Sequence, residues 1–209
     1  MLGFNRFSFN RHHQGDKNMT PLILNNSETT PITPEQFYQL CVANRDLRLE
    51  RTAKGDLIIM PPTGGETSKR NSDINLELAL WNRQTQLGIT FDSSGGFTLP
   101  NGADFSPDAA WIPLAKWESL TAEQKTKFLP LSPDFVIELR SPSDSLKLLQ
   151  LKMQEYIDNG TRLGWLINPK NRQVEIYRPE TEKQILENPI MLSGEDLLPG
   201  FILNLQLIW

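Results

Sequence analysis

The chain has 209 residues, of which 38% are hydrophobic and 22% charged, and a net charge of −4. This is enough chain to bury a core in one globular domain, and no apolar run is long enough to cross a bilayer. The negative balance counts against a broadly basic DNA-binding surface, while leaving room for a local basic groove. The single cysteine, Cys41, excludes an internal disulfide and a thiolate zinc cluster, and fits a reducing cytoplasm.

The opening MLGFNRFSFNRHHQGDKN has no apolar signal core and reads as a loose polar arm, with Met19 as an alternative start. His12 and His13 lie in it and carry no chemistry by themselves. Residues 20–33 read as arm or linker, so the expected division is an arm at 1–32 and one domain at 33–209. Thr33-Pro34-Glu35-Gln36 is a helix start, with a hydroxyl cap and proline at the first helical position. That helix should run to about Asn44. Leu47–Arg51 and Leu57–Met60 flank Lys54-Gly55-Asp56 as a β-hairpin.

A long helix is expected over Glu66–Leu87, with Ile74, Leu78 and Trp81 on one face and Gly88 ending it. Ile89–Phe91 and Gly96–Leu99 read as strands, and Asp108–Ile112 as a short buried strand after Pro107. Two amphipathic pieces follow, at Ala115–Leu120 and Thr121–Phe128. Phe135–Leu139 has the composition of a central strand. Ser141–Asp144 turns the chain into a helix over Ser145–Asn159, closed by Gly160. Leu163–Ile167 and Gln173–Tyr177 form a hairpin, and Glu182–Trp209 offers short strands. The class is α/β or α+β. A mixed sheet is expected, with the long helix on one side and the Ser145–Asn159 helix on the other.

Two carboxylates interrupt apolar strands. Asp108 precedes Ala-Ala-Trp-Ile, and Glu138 stands within Phe-Val-Ile-Glu-Leu. A carboxylate in such a strand is costly to bury unless it is paired or binds a metal. Two that meet on neighbouring strands repel, and a divalent cation such as Mg²⁺ or Mn²⁺ relieves this. Strand alternation places Val136 and Glu138 on one face and Phe135, Ile137 and Leu139 on the other. Lys152 sits on the following helix, among Leu148, Leu149 and Tyr156. It is either a lysine with its head in solvent or one aimed into a polar site, where it would position a water and offset phosphate charge.

Taken together, Ser106-Pro107-Asp108, the run Pro133–Asp144, Lys152–Tyr156, Asn159-Gly160 and Gly164-Trp165-Leu166-Ile167-Asn168-Pro169 resemble the Uma-type putative restriction endonuclease family. That family belongs to the PD-(D/E)xK nuclease superfamily. The resemblance spans about residues 33–209 and implies a restriction-endonuclease-like core that hydrolyses phosphodiester bonds in DNA. It implies Asp108 and Glu138 as metal ligands for Mg²⁺ or Mn²⁺, Lys152 as the catalytic lysine, and pairing into a homodimer. The superfamily's usual lysine position, two residues after the glutamate, holds Arg140, and the place of an aspartate four residues before Lys152 holds Leu148. Arg140 either grips phosphate or pairs with Asp144. Glu66 is either an accessory acid near the metal or a first-turn acid favouring the helix dipole. Glu77 is a weaker candidate of the same kind. Tyr156 is a further accessory candidate. The competing reading is a non-catalytic nuclease-fold module that binds nucleic acid or a protein partner. Gly64-Gly65 lacks the rest of a phosphate loop, and Ser141 and Ser143 lack a histidine partner for serine hydrolysis.

Overall fold

Thr33 starts the first helix with a reciprocal cap. Its Oγ1 accepts from Gln36 N at 3.2 Å, and Gln36 Oε1 accepts from Thr33 N at 2.9 Å. In the computed structural model, which describes residues 21–24 and 32–209, this helix is α1, Pro34–Ala43. His12 and His13 lie outside the described residues. The other helices are α2 (Gly65–Thr85), α3 (Leu114–Ser119) and α4 (Leu146–Asp158). The strands are β1 (Leu22–Leu24), β2 (Arg48–Arg51), β3 (Leu57–Met60), β4 (Gly88–Asp92), β5 (Phe97–Thr98), β6 (Asp104–Phe105), β7 (Ala109–Pro113), β8 (Phe135–Leu139), β9 (Leu163–Asn168), β10 (Gln173–Tyr177), β11 (Gln184–Glu187), β12 (Met191–Ser193) and β13 (Ile202–Asn204).

Among the described residues, the main sheet has six strands in the order β11-β10-β9-β8-β7-β4. β8 and β9 are parallel and the other pairs antiparallel, so the sheet is mixed as expected. All five residues of β8 are buried, because helices cover both of its faces. Phe135, Ile137 and Leu139 join Ile74, Leu78 and Trp81 of α2 in one core layer. Val136 joins Leu149, Met153, Tyr156 and Ile157 of α4 in the other. Phe135 meets Trp165 edge-on at 4.8 Å between centroids, and Trp165 stacks on Phe201 at 5.9 Å. Such pairs add about 0.5–1.5 kcal/mol each beyond their buried area. Gly164 lets α4 approach β9, since a Cβ there would stand 2.4 Å from Met153 Cε.

A second sheet runs β1-β3-β2-β6-β5. Leu22–Leu24, within the stretch read as arm or linker, supply its edge strand by pairing with β3. The hairpin turn has Gly55 at φ 87°, in the left-handed region that glycine tolerates. Arg51 ties β2 to β6 through a 2.6 Å ion pair with Asp104, and also donates to the carbonyls of Ile32 and Gly102. β12 and β13 form a separate two-stranded ribbon.

Two expectations need correction. Gly88 does not end α2. Gln86 caps that helix at φ 55°, and Gly88 begins β4, where a Cβ would lie 2.1 Å from Ile112 O. Close strand contact, not helix termination, is what this glycine serves. The second amphipathic piece, Thr121–Phe128, shrinks to one 3-10 turn at Gln124–Thr126. Its apolar end, Phe128, packs edge-on against Phe37 and Tyr38 of α1 rather than extending a helix. Among the described residues, no helix is long and apolar enough to cross a membrane.

Candidate active site

Asp108 comes directly before β7, and extending the antiparallel β7–β8 register by one step sets it across from Glu138. Alternation puts Asp108, Ala110, Val136 and Glu138 on the α4 side of the sheet. On α4, Leu149, Lys152 and Tyr156 are spaced three and four residues apart and share the face turned to that sheet. The sheet register and the helix period therefore bring Asp108, Glu138, Lys152 and Tyr156 to one end of β8.

Their contacts are short. Lys152 Nζ lies 2.8 Å from Glu138 Oε1, and Tyr156 donates its hydroxyl to the same oxygen at 3.2 Å. Lys152 Nζ also donates to Glu50 Oε1 at 2.8 Å, and its ammonium lies over the Phe105 ring at 5.3 Å. Asp108 is held from three directions. Its Oδ2 accepts from Leu139 N at 2.9 Å, and its Oδ1 accepts from Asn71 Nδ2 of α2 at 3.0 Å. Arg48 Nη1 stands 3.4 Å from that Oδ1, while Arg48 Nη2 donates to Ser106 O at 2.7 Å. Asn75 Nδ2 donates to the Asp108 carbonyl at 2.9 Å. Glu50 Oε1 accepts from Ser106 N at 3.0 Å, which fixes the loop leading to Asp108.

Three carboxylates thus share a buried space with two cations. Burial is the largest influence on Glu138 and raises its carboxyl; Asp108 and Glu50 raise it further, Lys152 opposes them, and the result is about 7. Burial works against the Lys152 charge, but Glu138 and Glu50 outweigh it and hold the ammonium above the ordinary lysine value. The same contest favours the Arg48 charge, with Asp108 its strongest partner. Burial, then Glu138, raises the Tyr156 hydroxyl well above its usual value, so it stays a donor.

Asp108, Glu138, Leu139, Arg48, Ser141 and Leu149 line a narrow cleft of about 30 Å³. Among the described residues, no group of three or more His, Cys, Asp or Glu side chains is placed to hold a metal ion. What the cleft presents is a pair of carboxylates. That suits Mg²⁺, which takes one or two carboxylates and fills its octahedron with waters and phosphate oxygens. Burial first, and then the charges of Asp108 and Glu50, lift Glu138, and a bound cation would relieve both.

The remaining sequence candidates lie apart from this cleft. The Glu66 side chain is 88% exposed and pairs with Arg70 at 3.4 Å, as a first-turn acid would. Arg140 donates from Nε to the Asp144 carbonyl at 3.2 Å and lines a neighbouring cavity with Glu66. Leu148 is about half exposed, whereas Leu149 faces the cleft. Glu77 is not among the cleft-lining residues. Arg48, Glu50 and Asn71 were missed from the sequence. Asn71 did leave a signal, since it follows Thr67 and precedes Ile74 and Leu78 on the buried stripe of α2.

The chain matches the family model Uma2, described as a putative restriction endonuclease, over residues 34–206. A solved structure of a putative nuclease belonging to DUF820, from Anabaena variabilis, superposes with a TM-score of 0.72 at 21% identity. The match covers 85% of this chain and 98% of that one, and it gives the fold as restriction-endonuclease-like. No curated protein matches the chain.

Proposed function

The chain belongs to the Uma2 family of putative restriction endonucleases, and on that premise we propose that it is a metal-dependent endonuclease that hydrolyses phosphodiester bonds in DNA. The observation that carries this reading is the convergence of Asp108 and Glu138 on one cleft, with Lys152 Nζ 2.8 Å from Glu138. Asp108 and Glu138 would hold Mg²⁺ or Mn²⁺. When bound, the ion would lower the pKa of a water and polarise the phosphodiester.

The residues of the chain do the rest. Lys152 is held protonated, so it serves as a cation and hydrogen-bond donor rather than as a base. It offsets charge that builds on the phosphate and orients the attacking water. Glu50 helps to keep the ammonium in place, with its Oε1 2.8 Å from Lys152 Nζ. Tyr156 donates to Glu138 Oε1 and fixes the carboxylate's rotamer. Leu139 N and Asn71 orient Asp108 in the same way.

A second reading rests on the same ion pairs. Lys152 and Arg48 already pair with Glu138 and Asp108, and a closed network of this kind could be structural in a nuclease-fold module that binds DNA or a protein without cutting. Plasmid cleavage with Mg²⁺ or Mn²⁺ separates the two. The endonuclease reading expects nicked and linear products that Glu138→Ala and Lys152→Ala abolish. Unchanged cleavage in both variants sinks the assigned site, and no cleavage together with no calorimetric metal binding favours the non-catalytic module.

A further inference from the structure

Arg140 and Asn168 stand side by side, each one step past the last paired residues at the ends of the parallel strands β8 and β9. They line a cavity of about 210 Å³ together with Arg70 and Glu66 of α2, Ser141 and Lys170. Ser141 also lines the Asp108–Glu138 cleft, so the two spaces adjoin. Asn168 is 2% exposed, and among the described residues neither its Nδ2 nor its Oδ1 has a hydrogen-bond partner. Both atoms are closed off behind the wall, so a ligand in the cavity meets the charged side chains in front of them.

The charge around Asn168 indicates which ligand. Among the described residues, neither Arg140 nor Lys170 is paired with a carboxylate. Arg140 is steadied through Nε by the Asp144 carbonyl, a bond that leaves its charge uncompensated. Arg70 is anchored by Nε to Ile208 O at 2.7 Å, and its partner Glu66 is almost fully exposed. The cavity is therefore cationic, although the chain as a whole is acidic. Its volume is below that of a drug-sized ligand site and suits a phosphate with part of its nucleoside.

We propose that this cavity seats a nucleotide of the DNA strand next to the one being cut. Arg140 and Lys170 contact its phosphate. Arg140 thus holds substrate beside the reacting centre. The inference rests on the endonuclease reading for its substrate class.

The test is fluorescence anisotropy of a labelled DNA duplex with the full chain, titrated at several salt concentrations in EDTA so that no cutting occurs. Each phosphate contact removed should lower the log affinity against log salt slope by about 1. Arg140→Gln and Lys170→Gln are each expected to do so, and the double variant should lose about 2. Asn168→Ala, which removes no charge, should leave the slope unchanged. Lys54→Gln, on the exposed hairpin turn, should not change it either. Slopes that stay at the wild-type value in both charge variants overturn the proposal, as does a wild-type chain that binds no DNA at low salt. Plasmid cleavage by Glu138→Ala keeps the two claims apart. If Glu138→Ala still cuts, the catalytic assignment falls while the slope result stands. If it does not cut and the slopes are unmoved, the cavity assignment falls alone.

Discussion

Removing the Lys152 ammonium is the sharpest physical test of the buried cluster. In Lys152→Met, Asp108, Glu138 and Glu50 would share their space with Arg48 alone. Breaking a buried pair by deleting one partner costs about 3–5 kcal/mol, which in a chain of this size lowers Tm by about 6–20 °C. The cost must depend on pH, and its sign follows from Glu138. Its folded-state value of about 7 lies above the ordinary 4.5, so the folded chain binds the proton more tightly between those limits. Stability from this group is full below 4.5 and is lost as pH climbs through about 7, a span worth about 3 kcal/mol. Without Lys152, which draws Glu138 down, the loss extends to higher pH. The lysine's own raised value keeps its contribution constant until well into alkali. Urea denaturation followed by tryptophan fluorescence, near pH 5 and near pH 8, measures both effects. The variant should lose most at the higher pH and much less at the lower. A loss under about 1 kcal/mol at the higher pH, the scale of an exposed pair, or an equal loss at both, would refute the account.

Further outcomes follow from the same contacts. Asp108→Asn and Glu138→Gln should each weaken Mn²⁺ binding at least about tenfold by calorimetry, the scale seen even for groups behind the ligands. Near pH 6, wild-type binding should release a proton from Glu138, visible as a buffer-dependent enthalpy; a buffer-independent enthalpy would contradict the raised carboxyl. Gly164→Ala should cost about 1–3 kcal/mol, because the movable end of Met153 can yield. Gly88→Ala should cost more in the same denaturation experiment, because its Cβ meets the backbone oxygen of Ile112 and the Trp111 ring. The reverse order would refute the packing account.

Glu138 was legible because a charge among Phe135, Val136, Ile137 and Leu139 has no cheap explanation, and the two-residue period gave its face. Asp108 and Lys152 were legible as chemistry-bearing types in apolar surroundings, and the family resemblance joined them. Glu50 and Arg48 were not, because Arg-Leu-Glu-Arg on a short hairpin strand reads as a solvated edge. Glu50 is 2% exposed because the fold sets it against Lys152 of α4 and the Ser106 amide. Arg140 shows the opposite case. Its sequence position suggested either a phosphate grip or a surface pair with Asp144, and the fold puts it on the wall of an adjoining cavity.

Local and periodic features were thus set along the chain itself: the Thr33 cap, the Gly55 turn, the apolar stripe of α2, and the side of β8 on which Glu138 stands. These depend on neighbours within one element, where backbone geometry decides. The tertiary structure decided which charges meet. Glu50 lies 102 residues from Lys152 in the chain, and Asp108 lies 31 from the Leu139 amide that orients it. No local rule ties such residues together. Only the sheet order and the packing of α4 bring them within hydrogen-bond reach, and that proximity sets their charge states.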